Sequence, residues 1–388
     1  MSIRTGLLAA LLTGFAGLLA GCEAPPPETK QVGFRGVALE QVRNPRTVAA
    51  LNAANQPPEV VPPGDPTGPR ASEIYENVKV LGDLSETEFT RIMVAMTGWV
   101  APGGIAGAEE GQGCSYCHNL ENMADESKYQ YKTARRMIQM TRTINTEWTN
   151  HVGATGVSCY TCHRGAPIPA YVWFEGGGKA GDAPVRTTNM MGWRNGQSTP
   201  GPSVGFASLP TDPFSALIEK AGQIRVGGIT ALPTEAGQSI ATTERTYALM
   251  MQMSTGLGVN CTFCHNSNAF QSWKDAPPQR VSAYHGIRMA RDINTNYLAP
   301  LNVVYPAEKL GAQGDAAKAY CATCHQGVQK PVNGAPMLGE YPELGAPALL
   351  PDDAVLVPPA IISPACSSRK PGFSIIAPTG SMIDARPA

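Results

Sequence analysis

The chain has 388 residues and a formal net charge of −1, so it has no basic field that could hold a nucleic-acid backbone. Charged residues make up 16% of it, against roughly 25% in an ordinary soluble domain, and it contains 41 glycines and 34 prolines. This composition excludes a tightly packed α/β enzyme and predicts a chain rich in loops. The ten cysteines are the most informative residues.

The N-terminus has the pattern of an export signal. Arg4 is followed by an apolar run, residues 6–20, that is too short for a comfortable membrane span. The run leads into Leu-Ala-Gly before Cys22, which resembles a bacterial lipoprotein cleavage site with Cys22 as the lipidated first residue of the mature chain. An uncleaved anchor helix is the alternative. Both interpretations tether the protein to a membrane outside the cytoplasm.

The next elements are a Pro-rich segment and an amphipathic helix. Residues 22–70 are expected to form an extended segment that wraps over a surface. A helix is predicted over 83–99, where Ser85 and Glu88 fit a capping box and apolar residues follow at helical spacing. Its apolar face includes Met93 and the neighbouring Met96.

Two further helices, predicted over 129–148 and 243–255, also carry methionines. Met137 lies on the first of them, and Met250 is one of three methionines on the second. A methionine on such a face usually fills gaps in a core. Here each helix comes just before a cysteine motif, and this position favours a role as a ligand.

Eight of the ten cysteines fall into four Cys-X-X-Cys-His motifs. In such a motif two thiols add across the vinyl groups of one haem, and the adjacent imidazole reaches the iron. A zinc site, a redox dithiol or a disulfide framework is the alternative, but none of them needs a histidine after every second cysteine. We therefore expect four covalent c-type haems. The motifs are Cys114, Cys117 and His118; Cys159, Cys162 and His163; Cys261, Cys264 and His265; and Cys321, Cys324 and His325.

An internal repeat organises these units. The string around Met93 recurs around Met250, and the string around Ile144 recurs around Ile293, each leading to a similar motif. The expected fold class is mainly α with much irregular structure, a multihaem c-type cytochrome of two pseudo-repeated pairs of helix-plus-motif units. The expected order is a signal peptide (1–21), the extended segment (22–70), a first haem pair (71–170), a connecting segment (171–235), a second haem pair (236–331) and a Pro/Ala-rich C-terminal segment (332–388) that is flexible beyond 344.

The repeat leaves one ligand position empty. Met137 falls opposite Gly286, so the helix that the repeat predicts before the fourth motif lacks a methionine at that position. An electron-transfer haem takes a second axial ligand, usually Met or His. His151 and His285 are the histidines outside the motifs. We expect His151 to serve the fourth motif, with His285, beside the empty position, as its rival.

The chain resembles the tetrahaem cytochrome c subunit of purple-bacterial photosynthetic reaction centres over about residues 75–344, and departs from that family in the Gly-rich segment 101–113. The resemblance implies that the iron ligands pair as Met93 with His118, Met137 with His163, Met250 with His265, and His151 with His325. The strings that carry the resemblance are residues 78–84, 134–146, 157–165, 260–266, 286–301 and 341–344.

The resemblance implies an electron-transfer role and no enzymatic one. The subunit is expected on the periplasmic face of the photosynthetic membrane, anchored by lipid on Cys22. There it takes electrons from a soluble c-type cytochrome or a high-potential iron-sulfur protein. It passes them to the photo-oxidised bacteriochlorophyll pair in the reaction-centre membrane subunits, with the third haem nearest that pair and the first furthest out. A membrane-anchored multihaem respiratory carrier or an oxyanion reductase is the alternative, and a reductase needs an open iron position.

Overall fold

The computed structural model describes residues 26–31, 40–175, 198–201, 205–207, 209, 212–227 and 239–346. The chain divides into a unit Met1–Pro351 and a tail Asp352–Ala388. The tail, the predicted signal peptide, Cys22 and much of the connecting segment lie outside the described residues. No helix of the described ranges is long and apolar enough to cross a membrane.

The N-terminal segment contains regular structure that the sequence analysis did not predict. Strands β1 (Glu28–Gln31) and β2 (Glu40–Arg43) pair antiparallel, and helix α1 (Pro45–Ala54) follows. The expectation of an extended segment is therefore wrong over α1. The helix forms because the side chain of Asn44 accepts a hydrogen bond from the Arg46 amide at 2.9 Å and a proline occupies the first helical position.

Beyond this local structure, the described parts of the N-terminal segment contact the rest of the protein. The Gln41 side chain donates to the Gly258 carbonyl at 3.0 Å. The amide of Val61 donates to the hydroxyl of Tyr341, which is fully buried, at 3.0 Å. These contacts join the beginning of the described chain to segments more than 200 residues away.

The first half of the molecule is built on two long helices. A single turn, α2 (Ala71–Ile74), precedes α3 (Glu86–Val100), and the predicted capping box is present, with the Ser85 hydroxyl and the Glu88 carboxylate each accepting the other's backbone amide. Helix α4 (Tyr129–Glu147) follows. The apolar face of α3 packs into a core with Leu81, Ile138, Tyr341 and Leu344.

Short helices carry the second motif. Helix α5 (Thr149–Val152) contains His151, and α6 (Cys159–His163) is the motif itself. The connecting segment includes the paired strands β3 (Ser198–Gly201) and β4 (Gly205–Ala207) and a wide turn at Ser215–Glu219.

The second half repeats the order of long helices and motifs. It comprises α7 (Ile240–Leu257), α8 (Gln279–Asp292), α9 (Cys321–His325) and a last turn, α10 (Met337–Glu340). Helix α8 continues into a wider π-helical stretch at Ile293–Leu298. The described protein is thus mostly helical with much irregular structure, as predicted.

Two buried arginines hold the C-terminal segment onto the first half. Arg142 forms a two-bond ion pair with Asp83, at 2.9 and 3.0 Å, and also donates to the Glu343 carbonyl at 3.0 Å. Arg91 pairs with the Glu343 carboxylate at 2.5 Å. Residues up to 346 therefore belong to the packed structure, and the predicted flexibility beyond 344 falls almost wholly outside the described residues.

Candidate haem sites

The four motifs fold in two ways. The first and third form 3₁₀ turns, Gly113–Tyr116 and Cys261–Phe263, whereas the second and fourth form the helices α6 and α9. Each of these helices ends in a left-handed residue, Arg164 with φ 52° and Gln326 with φ 48°. The chain turns sharply after the histidine in both, so the imidazole stands at the end of the helix.

All four motif imidazoles are oriented by the same interaction. Nδ1 of each ring donates to a backbone carbonyl a few residues further along the chain, because a carbonyl can only accept. Nε2 of each ring is left as the nitrogen that can bind a metal. The pairs are His118 with Met123 at 2.9 Å, His163 with Ala166 at 2.9 Å, His265 with Phe270 at 2.9 Å and His325 with Val328 at 3.1 Å.

Burial favours the neutral form of three of these rings, those of His163, His265 and His325. It lowers the pKa of His163 and of His265. It also lowers the pKa of His325 to about 4, and the nearby His151 acts in the same direction. A neutral imidazole is the form that binds a metal, so these rings are ready to act as ligands at neutral pH.

Four of the motif thiols lack the lowered pKa of a dithiol catalyst. Within the described ranges the eight motif cysteines form no disulfide. Burial raises the pKa of Cys117, Cys159 and Cys264 to about 11 and that of Cys321 to about 12. A catalytic dithiol needs a lowered thiol pKa instead. The hydrogen bond with Cys162 lowers the pKa of Cys324. The four thiols with a raised pKa therefore give the redox-dithiol alternative no support.

The predicted methionine ligands lie on the long helices, half-buried at the edges of the core clusters. Met93 is on α3, which contacts the first-motif turn, and Met137 is on α4, which contacts α6. Met250 is on α7, which ends four residues before Cys261. Met96 differs from Met93, because it is buried inside the core and only 8% exposed.

The imidazoles of His151 and His325 lie at a separation that suits a shared metal. Their ring centres are 6.1 Å apart. A metal-bound imidazole nitrogen lies about 2 Å from the metal and its ring centre about 1 Å further back, so two rings on opposite sides of one ion stand roughly 6 Å apart. Nδ1 of His151 donates to the Ser282 carbonyl at 2.9 Å, which leaves its Nε2 free as well.

Gly286 provides the space for His151. A Cβ at this position would come within 2.6 Å of the His151 ring, closer than real side chains approach. The position where the repeat lacks a methionine is thus filled by an imidazole from the other half of the chain. The rival, His285, packs its ring against Tyr284 at 5.5 Å. The geometry favours His151.

These observations fit haem. Each motif combines unpaired thiols with an imidazole whose free nitrogen is Nε2, and the fourth motif has a second imidazole at metal-binding separation. The thiols can hold the porphyrin covalently, and the imidazoles and methionine sulfurs can bind its iron.

The sequence analysis missed two asparagines that position the second and fourth motifs. The Asn145 side chain accepts from the Val157 amide at 2.8 Å and donates to the Val157 carbonyl at 2.9 Å. Asn294 does the same with Ala319, at 2.8 and 2.7 Å. Val157 and Ala319 each stand two residues before a motif. The signal was present, because both asparagines follow the repeated isoleucines 144 and 293.

Known proteins match this chain over most of its length. A family model described as "Photosynthetic reaction centre cytochrome C subunit" matches residues 23–345. Three relatives are named photosynthetic reaction center cytochrome c subunit. The one from Rubrivivax gelatinosus is 47% identical over 92% of this chain and 93% of its own. The one from Thermochromatium tepidum is 45% identical over 87% of this chain and 80% of its own. The one from Roseobacter denitrificans is 37% identical over 88% of this chain and 92% of its own.

Proposed function

Because the chain belongs to the family of photosynthetic reaction centre cytochrome c subunits, and so serves electron transfer in the reaction centre, we propose that its four motifs bind four covalent haems in series. The proposed thioether links are to the eight motif cysteines. The proposed iron ligands are Met93 and His118, Met137 and His163, Met250 and His265, and His151 and His325.

The single observation that carries this proposal is the pairing of His151 with His325 over Gly286. The separation of 6.1 Å suits a shared metal, and the glycine leaves room for the ring that the repeat does not supply. A haem bound in such a site supplies a one-electron redox centre. The residues around it hold the imidazoles in place through Nδ1 and shield them from water.

The ligand types set the expected order of potentials. Methionine ligation raises the potential of a haem relative to histidine ligation. Three sites have a proposed Met/His pair, and the site of Cys321 and Cys324 has two histidines. We expect three haems of higher potential and one of lower potential, the latter at the fourth motif.

Matching contacts in the two halves support the proposed repeat. The Gly165 amide, two residues after His163, donates to the Trp99 carbonyl near the end of α3 at 2.9 Å. The Gly327 amide, two residues after His325, donates to the Gly256 carbonyl near the end of α7 at 2.8 Å. Each pair of one long helix and one motif helix is therefore joined in the same way.

Packing supports an order of the four sites. Helices α6 and α9 contact each other, whereas Cys114 and Cys261 of the first and third motifs are exposed. We infer that the second and fourth haems are central and that the first and third lie at the two ends.

The N-terminal strands support an orientation on the membrane. The side chain of Gln41 on β2 contacts Gly258, three residues before Cys261. Cys22 stands six residues before Glu28, a stretch that spans at most about 20 Å. A lipid on Cys22 therefore places the third motif towards the membrane and its pigment. The first motif then faces the periplasm and the soluble donor, a small c-type cytochrome or a high-potential iron-sulfur protein.

Flash spectroscopy tests the proposal. Membranes containing the protein are excited with light absorbed by bacteriochlorophyll, and the reduced c-type haem bands are followed with microsecond resolution. Haem oxidation that tracks re-reduction of the pigment is the expected result. Intact photochemistry without light-linked haem oxidation, with the haems poised reduced, would instead favour a dark respiratory carrier.

Carbon monoxide separates the electron carrier from a reductase. Every proposed iron has two protein ligands, so carbon monoxide added to the reduced protein at neutral pH is expected to cause no rapid spectral shift. A rapid shift would show an open iron and favour the reductase.

A further inference from the structure

Arg164 lies at the junction of the second and fourth motifs. It follows His163 directly, and its Nη2 donates to the Cys324 carbonyl at 3.3 Å and to the Asn55 side chain at 3.1 Å. One guanidinium thus borders both central sites.

This cation is half-buried, lies 5.4 Å from the centre of the Tyr160 ring and has no carboxylate partner among the described residues. Nε and Nη1 of Arg164 are buried and have no hydrogen-bond partner among the described residues. No ion pair of the described ranges includes Arg164. Burying an unpaired charge is costly, and an arginine does not escape the cost by losing its proton. A half-buried cation of this kind needs a reason other than packing.

The corresponding position after the fourth motif, Gln326, is called the mirror position here. It shows that the local structure does not need the charge. Gln326 follows His325 in the same left-handed conformation, and its Nε2 donates to the Cys162 carbonyl at 3.3 Å. Its own carbonyl accepts from the Asn55 amide nitrogen at 3.3 Å. A neutral side chain therefore makes the reciprocal contact across the junction, and only Arg164 adds a charge.

We propose that Arg164 is a potential-setting residue shared by the two central haems, whose positive charge raises the midpoint potentials of both. The proposal rests on the proposed function, since it requires haem at the second and fourth motifs. Reduction adds one electron to each iron and lowers the charge of the site by one unit. A nearby fixed cation stabilises the reduced form relative to the oxidised one.

The expected effect is large enough to measure. A unit charge beside a partly buried site changes an equilibrium constant by about tenfold. For a one-electron couple a tenfold change corresponds to about 59 mV. Nothing comparable is expected at the first and third haems, whose motifs do not contact Arg164 in the described structure.

Redox titration of the complete membrane-bound protein tests the proposal. Arg164→Gln places at this junction the residue that is already present at the mirror position. It should lower the midpoint potentials of two of the four haems, each by the equivalent of about a tenfold change in the equilibrium constant of reduction. Arg164→Lys keeps the charge and should leave the midpoints close to those of the wild type. Gln326→Arg adds a cation at the mirror position and should raise the same two midpoints.

Gln326→Ala is the matched control. It removes the mirrored hydrogen bond without changing charge, so the midpoints should stay where they are. Four unchanged midpoints in both Arg164→Gln and Gln326→Arg would overturn the proposal, and so would equal shifts in all four haems. Haem content is measured on the same samples. Fewer than four haems per wild-type chain contradicts the proposed function, whereas four haems with unmoved midpoints contradict the role of Arg164 alone.

Discussion

At the residue scale, Gly286 and His151 complete one proposed ligand set between them. The imidazole reaches the fourth site from α5, and the glycine on α8 leaves the space that it occupies. A methyl group at 286 would meet the ring at 2.6 Å, and the ring is held against the same helix by the Ser282 carbonyl, one turn before Gly286. Moving the ring away from position 286 therefore strains or breaks that hydrogen bond.

Gly286→Ala is predicted to weaken the bond between His151 and the fourth iron. The low-potential component of the redox titration should shift, and carbon monoxide should bind to a fraction of the reduced haems. Gly339→Ala is the control, because a Cβ there meets only a Pro336 side-chain atom at 3.5 Å, an ordinary contact. Equal behaviour of the two variants would contradict the assignment of His151.

Met137→His is predicted to lower the midpoint of the second haem, because a histidine ligand stabilises the oxidised iron more than methionine does. Met140→His, on the same helix and also half-buried, should leave every midpoint in place. Redox titration followed in the haem α bands measures both. An unmoved set of midpoints in Met137→His removes Met137 from the ligand set.

The sequence predicted residues whose role depends on local spacing and missed those that depend on distant contacts. The motif cysteines and histidines are recognisable within five positions. Asn55 is fully buried between Arg164 and Gln326, but its neighbours lie 109 and 271 positions away. No local pattern in the sequence marks such a contact.

At the element scale, the side-chain hydrogen bonds of Asn145 and Asn294 do most to position the central motifs. Asn145 and Asn294 each join the end of a long helix to the residue two positions before a motif. Both side chains satisfy a backbone amide and a backbone carbonyl that would otherwise be buried without partners.

Asn294→Ala is predicted to destabilise the holoprotein by about 1–3 kcal/mol, because it leaves the buried amide of Ala319 without an acceptor. Loss of the haem Soret band on heating should occur several degrees earlier. Asn296→Ala removes only an exposed side chain that contacts Asp292 and should change the transition little. Loss of the Soret band at the same temperature in the two variants would contradict this role of Asn294.

Helices with a strong apolar period were predicted well, and elements without one were not. The predicted ranges 83–99, 129–148 and 243–255 correspond to α3, α4 and α7 to within three residues at each end. Helix α1 buries no residue, so it has no apolar face that a periodicity search could detect. Asn44 and Pro45 were its available signal.

At the scale of the whole molecule, aromatic side chains make up only 7% of the sequence, although several of them, such as Trp173 and Tyr341, lie in the interior. The apolar residues divide into separate clusters, and the proposed methionine ligands lie at the cluster edges. We infer that the haems themselves complete the core between these clusters.

A chain that cannot attach haem is therefore predicted not to reach the native state. Replacement of the eight motif cysteines by serine should abolish the native near-ultraviolet circular dichroism. Cys366→Ser, outside the motifs, should preserve both haem attachment and the native spectrum. A native-like spectrum in the eightfold variant would show that the polypeptide folds without its cofactors.

The close approach of His151 to Gly286 also limits which substitutions the protein can tolerate at these two positions. A side chain larger than glycine at 286 collides with the ring, so such a mutation survives only where the histidine has already been lost. Under the proposed ligand set, loss of the histidine alone leaves the fourth iron with one protein ligand until 286 or a neighbour supplies another. Each single step then passes through an impaired form, so we expect the two positions to change as a pair. The proposed site thus couples the evolution of the two parts of the chain that build it.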